Sequence, residues 1–368
     1  MTLLKDRPAV FLAAVALPPP LHGQSFINRA LVDQLRCADK VRTVVVDIGP
    51  RTFRSRLGYH TNRVLGLCLA IAQEFRQAVY SNRTLYTVIE SGGGRIYNAL
   101  ILFVARLLRF KIVAHHHTSY HTLNRDRWFA LIALIAGGRA LHVVLSEDMA
   151  RDLRRRYSLV RRVIILHNAQ LLPTPKNVVT VGSAVPKLTI GFLSNLSREK
   201  GVDRLFDVMR IGQNQGLEIY MKLAGPVTDV STAEMMFNAK TEFGAALDAI
   251  GPLEPSEKAK FFSSIDCFVF LSRYWLEAQP LVVLEAMSYG VPTIVSRCGY
   301  APEIVSDAGH VASTEQDVVS IIRKYINGEL SLQLEGARVR ARFLKLKSEG
   351  EHAWSVVRKQ ILDLHVED

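Results

Sequence analysis

Acidic residues are scarce in the first half of this 368-residue chain. Residues 1–180 hold 26 Lys or Arg against 10 Asp or Glu, a net of +16, whereas residues 181–368 hold 20 against 24, a net of −4. The basic half also mixes Arg with large apolar residues, as at Arg51, Arg54 and Arg56 and again over residues 100–111. Such mixtures suit an anionic bilayer surface, where each basic residue contributes on the order of 1 kcal/mol. Solvated helix faces beside an ordinary core produce the same pattern. Cysteine is rare: Cys37, Cys68, Cys267 and Cys298 are scattered and show no C-x-x-C spacing. That excludes a disulfide scaffold and a cysteine zinc site, and fits a reducing cytoplasm. Apolar runs of the roughly 18 to 20 residues that a membrane span needs are missing. The run over residues 128–137 is too short, and the one over 99–114 is cut by Arg106, Arg109 and Lys111. A peripheral protein is expected, at the inner face of the cell membrane. An apolar stretch follows Lys5 and Arg7, but Pro18 to Pro20 and the Gly23-Gln24 turn fit strand and loop better than a signal peptide, so secretion is not expected. Internal repeats, helix-turn-helix patterns, zinc spacing and RNA-binding aromatic signatures are all absent, so no nucleic acid partner is expected.

What is present is most concentrated around Glu277 and Glu285, two carboxylates eight positions apart. Pro280 suits a helix start, Gly290 a C-terminal cap, and Pro292 prevents continuation, so a short helix is expected over residues 281–289. Glu277 then lies in the preceding loop. Glu285 falls among Leu281, Val282, Val283, Leu284, Ala286 and Met287, where a carboxylate is costly unless polar hydrogens reach it. Vicinal hydroxyls of a ribose would satisfy both its oxygens. Glu277 would take hydroxyls of a second sugar, and the amides of Leu281 and Val282 would face a diphosphate between the two. The plainer alternative is a buried helix start with one glutamate on a solvent-facing stripe.

Upstream, Ile190 to Leu193 reads as an apolar strand, followed by a polar turn through Asn195 and Arg198, then Lys200-Gly201 and a helix start. A lysine at such a turn neutralises a diphosphate as a point charge, and Gly201 lets backbone approach closely. Gly225-Pro226, Gly251-Pro252-Leu253 and the strand over 265–271 follow in order. Together these segments, over about residues 185–310, resemble the C-terminal half of a family 4 glycosyltransferase, a retaining enzyme of group 1 type with the GT-B fold. The resemblance implies that Glu277 contacts the transferred sugar, Glu285 the donor ribose, and Lys200 the donor diphosphate. Gly225, Leu253, Pro280, Leu281 and Val282 complete the nucleotide-sugar contacts it implies. One departure stands out. The family usually places an arginine five positions before that lysine, and here the residue is Asn195, which brings no charge; Arg198 is the nearby cation.

The N-terminal half matches more loosely. A first strand over residues 9–17 leads to a Pro-rich loop, with amides at Gly23 and Gln24 available to a phosphate or acceptor and Ser25 a candidate N-cap. Gly92 to Gly94 form a flexible loop suited to an acceptor. A strand runs into His115, His116 and His117, whose side chains alternate between faces and so cannot all ligate one ion. The resemblance places a strand-end histidine over the transferred sugar, here His117, making His117, Lys200 and Glu277 the catalytic candidates.

Alternating strand and helix signals in both halves predict two doubly wound α/β domains. The resemblance adds that they are Rossmann-like and face a central cleft. The expected divisions are residues 1–172, a linker at 173–185, a nucleotide-sugar domain at 186–340, and a C-terminal helix at 341–368 crossing back. The expected activity is retaining transfer of a sugar from a UDP- or GDP-linked donor to a hydroxyl of a lipid-linked saccharide or other membrane-associated acceptor. Asp-x-Asp occurs nowhere, so no metal cofactor is expected. Two alternatives compete: a sugar-nucleotide epimerase on a similar scaffold, and a basic membrane- or nucleic-acid-binding protein with a remnant transferase domain.

Overall fold

The structure, a computed structural model, describes residues 9–19, 23–36, 41–50, 56–175 and 187–362. The chain divides into two compact units, one of residues 1–171 with 347–368 and the other of residues 172–346. In the first, strands and helices alternate as β1 (Ala9–Val15), α1 (Gly23–Arg36), β2 (Val41–Asp47), α2 (Arg56–Gln77), β3 (Arg83–Ile89), α3 (Arg95–Leu107), β4 (Lys111–His116), α4 (Tyr120–Leu123), α5 (Arg127–Ala136), β5 (Leu141–Val144), α6 (Glu147–Arg156) and β6 (Arg162–Ile165). The second continues with β7 (Lys187–Leu193), α7 (Val202–Asn214), β8 (Glu218–Ala224), α8 (Val230–Phe243), β9 (Leu247–Gly251), α9 (Lys258–Phe262), β10 (Cys267–Phe270), α10 (Leu281–Ser288), β11 (Thr293–Ser296), α11 (Ala301–Val305), β12 (His310–Ala312) and α12 (Glu315–Ile326). Helix α13 (Leu332–Leu362) starts in the second unit and ends in the first.

Each unit holds one six-stranded sheet, ordered β2-β1-β3-β4-β5-β6 and β12-β11-β10-β7-β8-β9, and every pairing is parallel. Parallel strands need crossover connections, which the helices supply, and the central strands are therefore covered on both faces. That is why β10 is Cys-Phe-Val-Phe with every residue buried. Phe192 of β7 stacks with Phe270 of β10, ring centroids 6.0 Å apart, and Phe262 and Phe268 extend this core. In the first unit Phe11, Leu12, Leu85 and Phe129 hold the corresponding place. Helix starts follow local capping chemistry: Ser146 accepts from the Met149 amide at 3.2 Å, and Asp229 from the Thr232 amide at 2.8 Å.

Strand order reverses between β7 and β10 in the second unit, because β8 and β9 lie to one side of β7 and β10 to β12 to the other. Ligands of open α/β sheets bind outside the carboxyl ends of strands at such a reversal. The loops that leave β7 and β10 there are the ones carrying Lys200 and Glu277.

Two expectations are corrected. Ser25 is not an N-cap: α1 begins at Gly23, so Ser25 is a buried residue of its first turn. The C-terminal helix is not a separate element from residue 341, since α13 is continuous from Leu332. Its early part packs Arg340 against Pro175 O at 2.9 Å, and its later part sets Glu349 3.6 Å from His167. Most of the expected linker, residues 176–185, lies outside the described residues, as do Arg51, Arg54 and the Arg56 side chain.

Candidate active site in the C-terminal unit

The loop from β7 into α7 presents Lys200. Gly201 has φ of 87°, and a Cβ there would overlap the carbonyl oxygen of Leu271, so only glycine lets this turn lie against the end of β10. The Lys200 amide donates to Ser197 Oγ at 3.1 Å, which fixes the turn. Its Nζ pairs with Glu277 Oε1 and sits 4.5 Å from the centroid of the Tyr274 ring. Both partners of this pair are largely buried.

Glu277 is held from its backbone. Its amide donates to Tyr274 O at 3.0 Å, and its carbonyl accepts from the Tyr300 amide at 3.0 Å. Gly299, at φ of 56°, has no room for a Cβ beside the Glu277 carbonyl. Arg273 braces the same loop, its amide donating to Glu199 O at 2.9 Å and its guanidinium to Asp203 Oδ1 at 2.6 Å. Buried Arg204 ties in from α7, pairing with Glu315 and reaching Ser313 O at 3.3 Å. The carboxyl ends of β7 and β10 are thereby joined by charged side chains other than the Lys200–Glu277 pair.

Pro280 is the N-cap of α10 with φ of −65°, so the expected helix is present and one residue shorter than its predicted span. The first intrahelical bonds come from the amides of Val283 and Leu284 to Pro280 O, which leaves the Leu281 and Val282 amides ahead of the helix ladder. Glu285 lies in the second turn. Lys258 of α9 donates to its Oε1 at 2.6 Å, while Oε2 is buried with no protein partner. Burial pushes the Glu285 carboxyl above its ordinary range, and the Lys258 ammonium pulls the other way. The carboxylate thus has half of its hydrogen-bonding requirement met and one oxygen open to a donor. Nothing local in the sequence marks Lys258, which sits 27 positions upstream of Glu285 in a polar segment.

An open cavity of about 400 Å³ lies beside Lys200, lined by Asn195, Ser197, Arg198, Glu199, Lys200, Thr228, Asp229 and Thr232. Asn195 is therefore on the cavity wall next to both cations. Gly225, at φ of 133°, lets the β8 turn press against the Ser194 carbonyl. Leu253 is in the loop after β9 and is half-buried. The unit brings together Asn195, Lys200 and Glu277 around the end of β7, with Pro280, Leu281, Val282 and Glu285 on the adjoining helix.

Gly23 and His117 belong to the other unit. Gly23 is the exposed first residue of α1. His117 follows the last residue of β4, its ring centroid 4.0 Å from that of His115, and its Nε2 has no partner. Burial lowers its pKa to about 3, so the ring is neutral. His116 points the other way into a chain of imidazoles: its Nδ1 lies 2.7 Å from His121 Nε2 and its Nε2 3.0 Å from His142 Nδ1. Both ring nitrogens of His116 are thus engaged with other imidazoles. No group of three or more His, Cys, Asp or Glu among the described residues is arranged to hold a metal ion.

Residues 175–338 match the family model described as glycosyl transferases group 1. No curated protein matches the chain. Among solved structures, the chain is similar to HepE of Anabaena in complex with UDP, at 15% identity and TM-score 0.68, with 96% of this chain and 100% of that one covered. It is similar also to the lipopolysaccharide outer core galactosyltransferase WaaB, at 15% identity and TM-score 0.70 over 95% of this chain and 99% of that one. Sucrose-phosphate synthase from Thermosynechococcus elongatus gives 17% identity and TM-score 0.67 over 96% and 99%. At such identities these likenesses establish the fold, which is of the GT-B type. With the match over the C-terminal unit, the enzyme class is glycosyltransferase.

Proposed function

We propose that the chain is a retaining, metal-independent glycosyltransferase of the family 4 type that moves a sugar from a UDP- or GDP-linked donor to a hydroxyl of a lipid-linked saccharide or other membrane-associated acceptor at the inner face of the cell membrane. The observation that carries this reading is the half-satisfied Glu285 carboxylate on α10, together with the Lys200–Glu277 pair at the strand-order reversal. A ribose hydroxyl donating to Oε2 supplies the bond that the protein leaves unmade. The Lys200 ammonium exchanges its carboxylate for the donor diphosphate, and Glu277, so released, accepts hydroxyls of the transferred sugar. Charge then builds on the departing diphosphate while Lys200 and the α10 amides face it. Asn195 donates amide hydrogens to a phosphate oxygen in the place of the family's arginine, with Arg198 the cation on the same wall. For His117 the proposal rests on the resemblance: a neutral imidazole with an unpartnered Nε2 offers one hydrogen bond to a sugar hydroxyl. Epimerisation would use the same donor contacts, and is separated by whether label from the donor sugar reaches an acceptor.

Replacing Glu285 with Ala should weaken UDP binding by about 1.5–3 kcal/mol, the worth of a hydrogen bond to a charged group, and leave kcat at saturating donor nearly unchanged. Titration calorimetry with UDP measures this. Unaltered affinity in a folded Glu285→Ala variant overturns the ribose assignment.

Activity should persist in excess EDTA, because the charge on the leaving diphosphate is met by Lys200 and backbone amides. Transfer that stops in EDTA and returns with Mn²⁺ or Mg²⁺ would show that a metal supplies that role.

A further inference from the structure

We propose that α2, α3 and α5 of the N-terminal unit together form a face that inserts into an anionic lipid bilayer. The inference deepens the membrane-associated acceptor reading above, on which it rests for its biological setting, and it is carried by observations of its own. Helix α3 packs against both α2 and α5, so the three make one layer. Its outer side is apolar on every helix: Leu65 and Leu69 of α2, Phe103 and Leu107 of α3, and Trp128 and Leu134 of α5 are between 47% and 65% exposed. Singly exposed apolar residues are ordinary, but stripes on three adjoining helices make a contiguous patch, which soluble surfaces avoid unless a partner covers it.

The charge on the same layer selects the partner. Glu74 is the only acidic residue in the three helices, and it is buried. Exposed charges on and beside them include Arg76, Arg106, Arg109, Lys111, Arg125, Arg127 and Arg139. Helix α6 of the same unit, by contrast, carries Glu147, Asp148 and Asp152 among its arginines, as an ordinary solvated helix does. The acid-free, apolar, arginine-edged composition is therefore a property of one face. A second copy would bring its own arginines against these with no carboxylate to pair them, which disfavours self-association. An anionic lipid surface meets both halves of the pattern, taking the leucines and aromatics below the headgroups and the guanidinium groups among the phosphates.

The test uses the full chain and vesicles of phosphatidylcholine with or without phosphatidylglycerol, read by sedimentation and by Trp128 fluorescence in a Trp275→Phe, Trp354→Phe background. Anionic vesicles should bind the protein and shift the Trp128 emission to the blue, and brominated acyl chains should quench it. The triple variant Leu69→Ser, Phe103→Ser, Leu134→Ser alters only exposed positions and should lose about a hundredfold or more in vesicle affinity. UDP binding by calorimetry should be the same in both proteins. Vesicle binding by the triple variant at wild-type strength overturns the proposal, as does a wild type that ignores anionic vesicles. A wild-type dimer that the triple variant abolishes, with no vesicle binding, also overturns it and assigns the face to self-association. Vesicle binding without any binding of either UDP or GDP leaves the face standing and removes the reading of the nucleotide site.

Discussion

Replacing Lys200 with Ala should lower kcat for sugar transfer by roughly 10²- to 10³-fold, about 2.7–4 kcal/mol of transition-state stabilisation, by analogy with loss of one preorganised donor to a developing anion. The donor KM should change far less. The reason is that the diphosphate gains charge as the glycosidic bond breaks, so the ammonium interacts more strongly with the transition state than with the bound donor. The substitution also leaves Glu277 without its cation in a largely buried place, so a thermal melt must accompany the kinetics. Lys200→Arg separates the two effects. It retains a charge for Glu277 and so keeps stability, but its planar fork does not reproduce a point charge directed by Gly201 and braced over Tyr274, so most of the activity should stay lost. A Lys200→Ala enzyme within threefold of wild type in kcat would remove Lys200 from the chemistry.

The parts of this site that were legible in the sequence are the parts set by short-range rules. Pro280, Gly290 and Pro292 delimit α10 because proline fixes φ and glycine tolerates φ of 75° at the helix end. The burden placed on Glu285 by its apolar neighbours was also readable, since those neighbours are adjacent in the chain. Its answer was not. Lys258 reaches Glu285 from α9, and nothing in the local pattern of α9 distinguishes that lysine from Lys260, which lies two positions on. Arg204 and Arg273 escaped notice for the same reason: the groups they brace are 70 or more positions away and meet them only once the sheet is formed.

The N-terminal unit shows the same division. Alternation along β4 was enough to separate His116 from His115 and His117, and the two sides of the strand do lead to different neighbours. That His116 would join His121 and His142 depended on the parallel register of β4 with β5 and on the short α4 turn, which no spacing rule supplies. Polar side chains at 63 and 90 were likewise silent in the sequence. Arg63 and Glu90 form a two-pronged pair, both contacts 2.7 Å, with Arg63 buried and lying 4.7 Å from the Tyr97 ring. The lone glycine-rich signal there, Gly92 to Gly94, proved to be a three-residue helical turn at the mouth of α3.

The imidazole cluster leads to the largest expected change in stability. Lowering the pH from 7.5 to 5.5 should cost the N-terminal unit several kcal/mol and bring it close to unfolding. Burial holds His115 and His116 well below their ordinary pKa, His117 and His121 at about 3, and His142 at about 4, with neighbouring imidazoles adding to the effect on most of them. All five stay neutral when folded and take up protons near pH 6.5 when unfolded, so the stability they contribute is present above 6.5 and is lost as pH falls towards 4. Glu74 works in the opposite direction. Burial raises its carboxyl to about 8, so it is protonated when folded and ionised when unfolded over the same range. Five imidazoles less one carboxyl leave a net uptake of up to about four protons on unfolding, roughly 5 kcal/mol per pH unit at the steepest part. Denaturant melts of the Trp275→Phe protein at intervals from pH 7.5 to 5.0, followed by the emission of Trp128 and Trp354, give the slope for this unit. His142→Phe should flatten it by about one proton, near 1.4 kcal/mol per pH unit, because one imidazole no longer titrates in the unfolded chain. A midpoint that does not move between pH 7.5 and 5.5 would mean that water reaches these rings and lets them charge in place.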